Sequence, residues 1–468
     1  MKRIVGATTN STAQTPNVIY QPMSSGGPSV GPMRRRTLLA AITAGLSGCQ
    51  VIQQETTPTP TTEDEPTETV AIDLPADGAL DGWHTFRGSV TNQGRAAGVT
   101  GPGPAVEPAW DTAVRSGGDD RLLSAAGGVV FSAGKWGVEA IDAADGTQLA
   151  AQVTPGHEIT TEPVMVDGHL FAGTWESGFV CIDPTTGQTV WQASTSTLTH
   201  HNRERLIPVT STPAIAENQV YFGNSGPEGG GAFLRCYSIE GGETCWREWP
   251  NVGSLGVEPP RVVGDRVLLD EGTELVALSL EDQSVEWRVP FPETDRSNAN
   301  YRPLAPAVAE GVAAVATNGG LVGVDIGAGE RQWTIETRSY APDSTYLANT
   351  YTPAIHDGTV YAGLCDGGFG AYDLASGEEQ WTATPDPPVI YWTAPAIGNG
   401  CVFVGAQGPE NVPYNPGDRD PDDARLYAFD RETGEQYGPW SLPGHLRHPV
   451  VTDDSVVIAS GNSLYAFN

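Results

Sequence analysis

The sequence predicts an all-β fold. It is an eight-bladed β-propeller of four-stranded antiparallel blades, with the ring closed by an N-terminal strand. Two residue spacings and the chain ends predict it. In the first spacing a Pro stands eight residues before an aromatic residue: Pro163/Phe171, Pro213/Tyr221, Pro353/Tyr361 and Pro395/Phe403. Pro260/Leu268, Pro306/Ala314 and Pro449/Val457 keep it with aliphatic residues, and Leu123/Phe131 lacks the Pro. In the second, Gly follows Asp by four residues and Trp follows Gly by four: Asp183/Gly187/Trp191, Asp325/Gly329/Trp333 and Asp373/Gly377/Trp381. Ser238/Gly242/Trp246 and Ser279/Gln283/Trp287 are variants, Asp142/Gly146 ends in Ala150, and Asp430/Gly434 has Trp440 displaced by two. Units of about 40–50 residues with four strands each are propeller blades. The last unit, from Pro449, stops at Leu464–Asn468 without a Trp strand, while a spare one, Ala109-Trp110-Asp111, precedes the first. Lending that strand to the last blade closes the ring and hides both edges.

The unit Tyr351–Trp381 shows why each strand forms. Thr352–Ile355 is a short apolar run at a Pro, which cannot donate to a ladder and so suits a strand start. Asp357-Gly358 is a hairpin turn signal. Thr359–Gly363 is β-branched and aromatic. Gly367-Gly368 turns the chain, Phe369–Asp373 alternates large and small residues, Ala375-Ser376-Gly377 turns it again, and Glu379–Trp381 opens the outer strand.

Fifty-seven Gly and 37 Pro in 468 residues fit many tight turns, and no amphipathic helix pattern follows residue 50. The formal charge is −32, with Lys only at positions 2 and 135. Acid spread along a Lys-poor chain is the composition of high-salt proteins, where salt screens self-repulsion. The rival reading is an acidic face for a basic partner. The sign of the charge disfavours nucleic acid.

Four segments are expected: a polar extension read as mis-assigned to the chain (1–32), an export signal (33–49), a tether (50–78) and the propeller (79–468). Arg35-Arg36-Thr37-Leu38-Leu39 resembles a twin-arginine signal, followed by an apolar stretch, Leu38–Leu46, too short to span a bilayer. Leu46-Ser47-Gly48-Cys49 resembles a lipobox, so Cys49 is the expected lipidation site. The Thr/Pro/acidic tether cannot bury enough apolar surface to fold. The expected location is the outer face of the cell membrane.

Trp83-His84-Thr85-Phe86-Arg87-Gly88, with Asn92 and Gly94 after it, resembles the lead-in of pyrroloquinoline-quinone (PQQ)-type propellers. With the repeats, the resemblance to the quinoprotein-alcohol-dehydrogenase-like family covers roughly residues 80–468. It implies that each blade ends in a Trp docked on its neighbour, here Trp110, Trp191, Trp246, Trp287, Trp333 and Trp381. Family enzymes hold PQQ with Ca²⁺, a catalytic Asp, a Trp platform and an adjacent Cys pair. No adjacent Cys pair occurs here, and no catalytic residue is assigned.

Loops joining the last strand of one blade to the first of the next fall on one propeller face, where binding is expected. They carry the candidate funnel-mouth residues His157, Glu162, His200, His201, Arg203, Glu258, Arg302, Tyr351, Trp392 and His448. The bland alternative is a set of solvated polar loop residues. Asp418, Asp420 and Asp422 alternate as Ca²⁺ ligands do, or form an acidic loop. Cys181 and Cys236 read as small buried residues, and Cys236 and Cys245 flank a turn across which a bridge is conceivable. The functional expectation is a membrane-anchored, non-catalytic binding or protein-assembly scaffold without cofactor, whose partner is a protein or small molecule. The alternative is a PQQ- and Ca²⁺-dependent dehydrogenase.

Overall fold

The computed structural model describes residues 93–94, 98–115, 122–150, 158–175, 178–193, 197–200, 203–206, 209, 211–224, 232–252, 260–271, 273–292, 305–317, 320–336, 352–364, 367–386, 389, 391–407 and 424–468. Cys49, His157, His201, Glu258, Arg302, Tyr351, Asp418, Asp420 and Asp422 lie outside them. Among the described residues there is no helix, hence none long and apolar enough to cross a membrane.

Eight antiparallel sheets form the eight blades. Their inner strands are Leu122–Ala126, Val164–Val166, Ala214–Ala216, Arg261–Val263, Ala307–Ala309, Ala354–His356, Ala396–Ile397 and Val450–Val451, for blades 1 to 8. The inner strand of blade 8 lies against that of blade 1. Pro108–Ala113 is the outer strand of blade 8, antiparallel to Ser463–Phe467 with Trp110 opposite Ala466 and Asp111 opposite Tyr465. The first and last segments of the propeller therefore share one sheet.

In blade 6 the inner strand starts at Ala354, two residues later than expected at Thr352. The reason is Pro353, which has no N–H to offer, so the ladder opens with Ala354 opposite Tyr361. Asp357 and Gly358 both adopt positive φ, 47° and 71°, as the tight hairpin turn requires. Strands in the middle of a blade face a neighbour on both sides: all of Val129–Gly134 and Thr359–Gly363 is buried. Outer strands alternate, as in Glu330–Glu336, where Trp333 alone is buried.

The second spacing has a physical cause on two levels. The Asp folds the outer turn, its carboxylate accepting from backbone N–H groups ahead of it: Ser376 onto Asp373 at 2.8 Å, and Thr433 onto Asp430 at 2.8 Å. The Gly then takes a left-handed φ and leaves its Cβ side bare, so the preceding blade's Trp can lie on it. A Cβ on Gly329 would fall 2.4 Å from Trp287, and one on Gly434 2.6 Å from Trp381. Each indole N–H donates to the carbonyl after the Asp or Ser: Trp110 to Ala143, Trp191 to Ile239, Trp287 to Ile326, Trp333 to Leu374 and Trp381 to Arg431. The side chain of Trp246 is outside the described residues. The displaced Trp440 packs on Phe467 with ring centroids 5.9 Å apart.

The lead-in runs along the inner strands of three blades. Ile355 N–H donates to Gln93 O at 2.8 Å, Ile397 N–H to Gly94 O at 2.7 Å, and Gln93 Nε2 to Val308 O at 2.9 Å. Val308, Ile355 and Ile397 are on the inner strands of blades 5, 6 and 7. Their axial edge has no strand beside it, and its N–H groups need acceptors. Asn399, in the first turn of blade 7, donates to Pro102 O at 3.0 Å, so this segment lies on the turn side of the ring.

Candidate functional site

The opposite face is built by the linkers that enter each blade. In three of them the described residues add a short strand beside the second strand of the blade. Ile159 bridges Thr174, Tyr391-Trp392 pairs with Ala406-Gln407, and Leu446 bridges Ser460. A Thr two residues before the Pro fixes two of these paths. Thr161 Oγ1 accepts from Gly173 N–H at 2.8 Å, and Thr393 Oγ1 from Gly405 N–H at 2.9 Å. The backbones meet this closely because Gly173 has no side chain; a Cβ there would lie 2.6 Å from Thr161 Cγ2.

Glu162 and His448 each stand directly before the Pro that starts an inner strand, in blades 2 and 8. The fold brings them together across blade 1: His448 Nε2 lies 3.1 Å from Glu162 Oε1. The Glu162 side chain is 3% exposed and that of His448 12%. A carboxylate so far from water is costly without a polar neighbour, and the imidazole stands within ion-pair distance of it. Glu162 N–H donates at 3.1 Å to the hydroxyl of Thr212, which holds the same position in blade 3. Nearby, Gln407 Nε2 and His445 Nδ1 are 3.0 Å apart.

Trp392 is buried, packed against Phe369, Tyr427 and Phe429 at centroid distances of 5.3, 5.8 and 6.1 Å. Its side chain packs between blades 6 and 7 instead of standing at an open mouth. His200 and Arg203 sit opposite each other in the hairpin Thr197–His200/Arg203–Leu206, which rises from the linker between blades 2 and 3.

Sequence reasoning missed three features. Arg261 is fully buried on the inner strand of blade 4, in the slot held by Val164, Ala214 and Ala307 elsewhere. Its guanidinium donates to Pro306 O of blade 5 at 3.2 Å and to Pro260 O at 3.3 Å, tying two blades at the hub. Comparing the repeats position by position reveals this Arg. The second and third features are Trp136 and Trp175, 62% and 47% exposed, in the turns between second and third strands of blades 1 and 2. The blade 2 linker runs between those turns: Ile159 N–H donates to Gly134 O at 3.1 Å, and Trp175 N–H to Glu158 O at 3.0 Å. Both indoles therefore belong to the rim above Glu162. Lys135 Nζ lies 5.3 Å from the Trp136 ring centroid.

The resemblance implies a calcium-held quinone, so the donors matter. Among the described residues the carboxylate of Glu162 is turned to His448, Trp392 is buried between blades 6 and 7, and no group of three His, Cys, Asp or Glu converges. The described residues do not assemble a site for that pair, and no chemical step is derived through it.

Residues 103–228 and 370–468 match a family model described as outer membrane protein assembly factor BamB. A stretch of 159 residues is 27% identical to the dehydrogenase subunit of a quinone-dependent alcohol dehydrogenase from Komagataeibacter europaeus, covering 31% of this chain and 21% of that protein. The quinohemoprotein alcohol dehydrogenase of Comamonas testosteroni is 27% identical over 81 residues, 17% of this chain and 11% of the relative. The matched stretch thus spans about a fifth or less of these curated relatives. Among solved structures, BamB from Moraxella catarrhalis superposes with a TM-score of 0.56 at 16% identity, over 78% of this chain and all of that one. The Comamonas testosteroni quinohemoprotein gives 0.56 at 14% identity, over 84% and 81%. At these identities the structural likeness shows the fold alone. Together the matches support a PQQ-like β-propeller repeat family.

Proposed function

We propose that this chain is a lipid-anchored, extracytoplasmic propeller that holds a protein partner on its linker face and does not turn over a substrate. The observation that carries the reading is the pairing of Glu162 with His448 beneath a rim bearing two exposed indoles. The most strongly buried acid of the mouth is engaged within the ring, while large apolar area faces outward. Exposed Trp is the residue type that anchors protein contacts, and clustered apolar surface marks interaction sites. The likeness to an assembly-factor family supports the same reading. The anchor rests on Arg35-Arg36 and Leu46–Cys49, and the outer face of the membrane of a halophilic archaeon rests on that signal and on the charge of −32. An archaeal cell has no outer membrane, so the partner would differ from that of an outer-membrane assembly factor.

The second reading is a PQQ-dependent dehydrogenase, favoured by the curated relatives and by a buried carboxylate at the mouth. One experiment separates them. A photo-cross-linking side chain replaces Trp136 on the linker face or Asp282 on the opposite turn face, and intact membranes of the producing cell are irradiated. The scaffold predicts a protein adduct from position 136, none from 282, and loss of the adduct with Trp175→Ala. The enzyme predicts none of these, and predicts dye reduction when purified protein receives PQQ and Ca²⁺.

A further inference from the structure

Blade 3 carries two thiols that face one another across its outer hairpin. Cys236, on the strand Ala232–Ser238, is buried; Cys245, on Thr244–Val252, is exposed. Tyr237 pairs with Thr244 and Cys236 with Trp246, so Cys245 is the extra residue of a bulge. Two residues there oppose one, which sets Cys245 beside Cys236. Cys236 Sγ also donates to Gln219 Oε1 at 3.2 Å, which accepts the Tyr221 hydroxyl at 2.6 Å. Burial pushes the Cys236 thiol well above the ordinary range.

We propose that Cys236 and Cys245 form a reversible disulfide in the folded protein, with Cys245 attacking the oxidant and Cys236 resolving the mixed disulfide. The oxidant is a low-molecular-weight disulfide. Cys245 gives its proton to solvent, and its thiolate attacks one sulfur, forming a Cys245 mixed disulfide and releasing one small thiolate. Cys236 then loses its proton to that thiolate and attacks Cys245 Sγ, expelling the second small thiolate. Two protein thiols are oxidised and one small disulfide is reduced to two thiols. The assignment follows from access: of the two thiols Cys245 is exposed to a solute, and the buried Cys236 is reached through Cys245.

The bridge has a consequence for the ring. The turn it spans is the socket for Trp191, whose indole donates to Ile239 O at 2.7 Å and lies on Gly242. Oxidation therefore staples the contact between blades 2 and 3.

The test uses the full folded chain in strong salt with oxidised glutathione. Remaining thiols are alkylated before trypsin cleaves after Arg235 and Arg247, releasing one peptide with both cysteines. The expected wild-type peptide is two hydrogens lighter than the dithiol and unalkylated, and its formation quickens as pH rises from about 7 toward 9. Cys236→Ser is expected to stop at glutathione on Cys245, and Cys245→Ser to leave Cys236 unmodified. A wild-type peptide that keeps glutathione, or takes two alkyl groups after prolonged oxidation, overturns the proposal. The wild-type result decides even where a variant fails to fold.

Discussion

Replacing Trp333 by Ala tests the docking of one blade on the next. The ring lies between Gly323 of its own blade and Gly377 of blade 6: a Cβ on Gly323 would fall 2.0 Å from it, and one on Gly377 2.8 Å. It is 8% exposed and donates to Leu374 O at 2.8 Å. A buried Trp removes about 150–250 Å² from water, or ~4–6 kcal/mol at 25 cal/mol per Å², which is an upper bound. Measured truncations of large aromatics run about 3–5 kcal/mol, and the lost hydrogen bond adds ~1. The expected loss for Trp333→Ala is therefore about 4–5 kcal/mol. It is read as a lowered urea midpoint at unchanged slope, by far-UV circular dichroism in strong salt. Trp136→Ala, on the exposed rim, is expected to stay within about 0.5 kcal/mol. A loss below about 1.5 kcal/mol for Trp333→Ala refutes the idea that the repeated Trp holds the ring together.

Gly377→Ala places a Cβ against the same ring at a φ of +72°, so it should cost about 2 kcal/mol or more, measured the same way. His448→Ala leaves the Glu162 carboxylate without its imidazole and is expected to cost about 3 kcal/mol, whereas the pair Glu162→Met/His448→Leu recovers most of it. The Ser376 hydroxyl holds Asp373, and the Thr433 amide holds Asp430, below the ordinary carboxylate range. A depressed folded-state value stabilises above the unfolded pKa and is lost as pH falls through the folded one. The stability gap between wild type and Asp373→Asn/Asp430→Asn should thus be full above about pH 5 and close below about pH 3.

The architecture was legible because its determinants are local and recur. Asp373 folds its own turn, Gly377 supplies the left-handed φ, and Trp333 needs the bare Gly, so the pattern reports a contact between blades. Gln283 keeps the positive φ, 61°, where Gly is absent. The site was legible only in part. Glu162 and His448 were both marked as residues of the linkers between blades, but their contact depends on ring closure, which no local pattern encodes. Trp392 was placed at the mouth as a linker residue, yet Phe369 of blade 6 and Tyr427 and Phe429 of blade 7 hold it between the blades. Trp136 and Trp175 escaped notice because their turns lie outside both spacings. The seating of the lead-in was invisible because Gln93 and Gly94 act through backbone groups on distant strands.

The account seats the lead-in on the inner strands of blades 5, 6 and 7, away from the linker face. Hydrogen exchange at the Ile355 and Ile397 amides tests this most directly. Both face the axis, and each has a lead-in carbonyl as its acceptor, Gln93 O at 2.8 Å and Gly94 O at 2.7 Å. The predicted result is protection in the full chain equal to that of the neighbouring Val360 and Val402 amides within the sheets, lost for both in a chain starting at Gly98. Exchange of these two amides at unprotected rates in the full chain would contradict the seating of the lead-in on the inner strands.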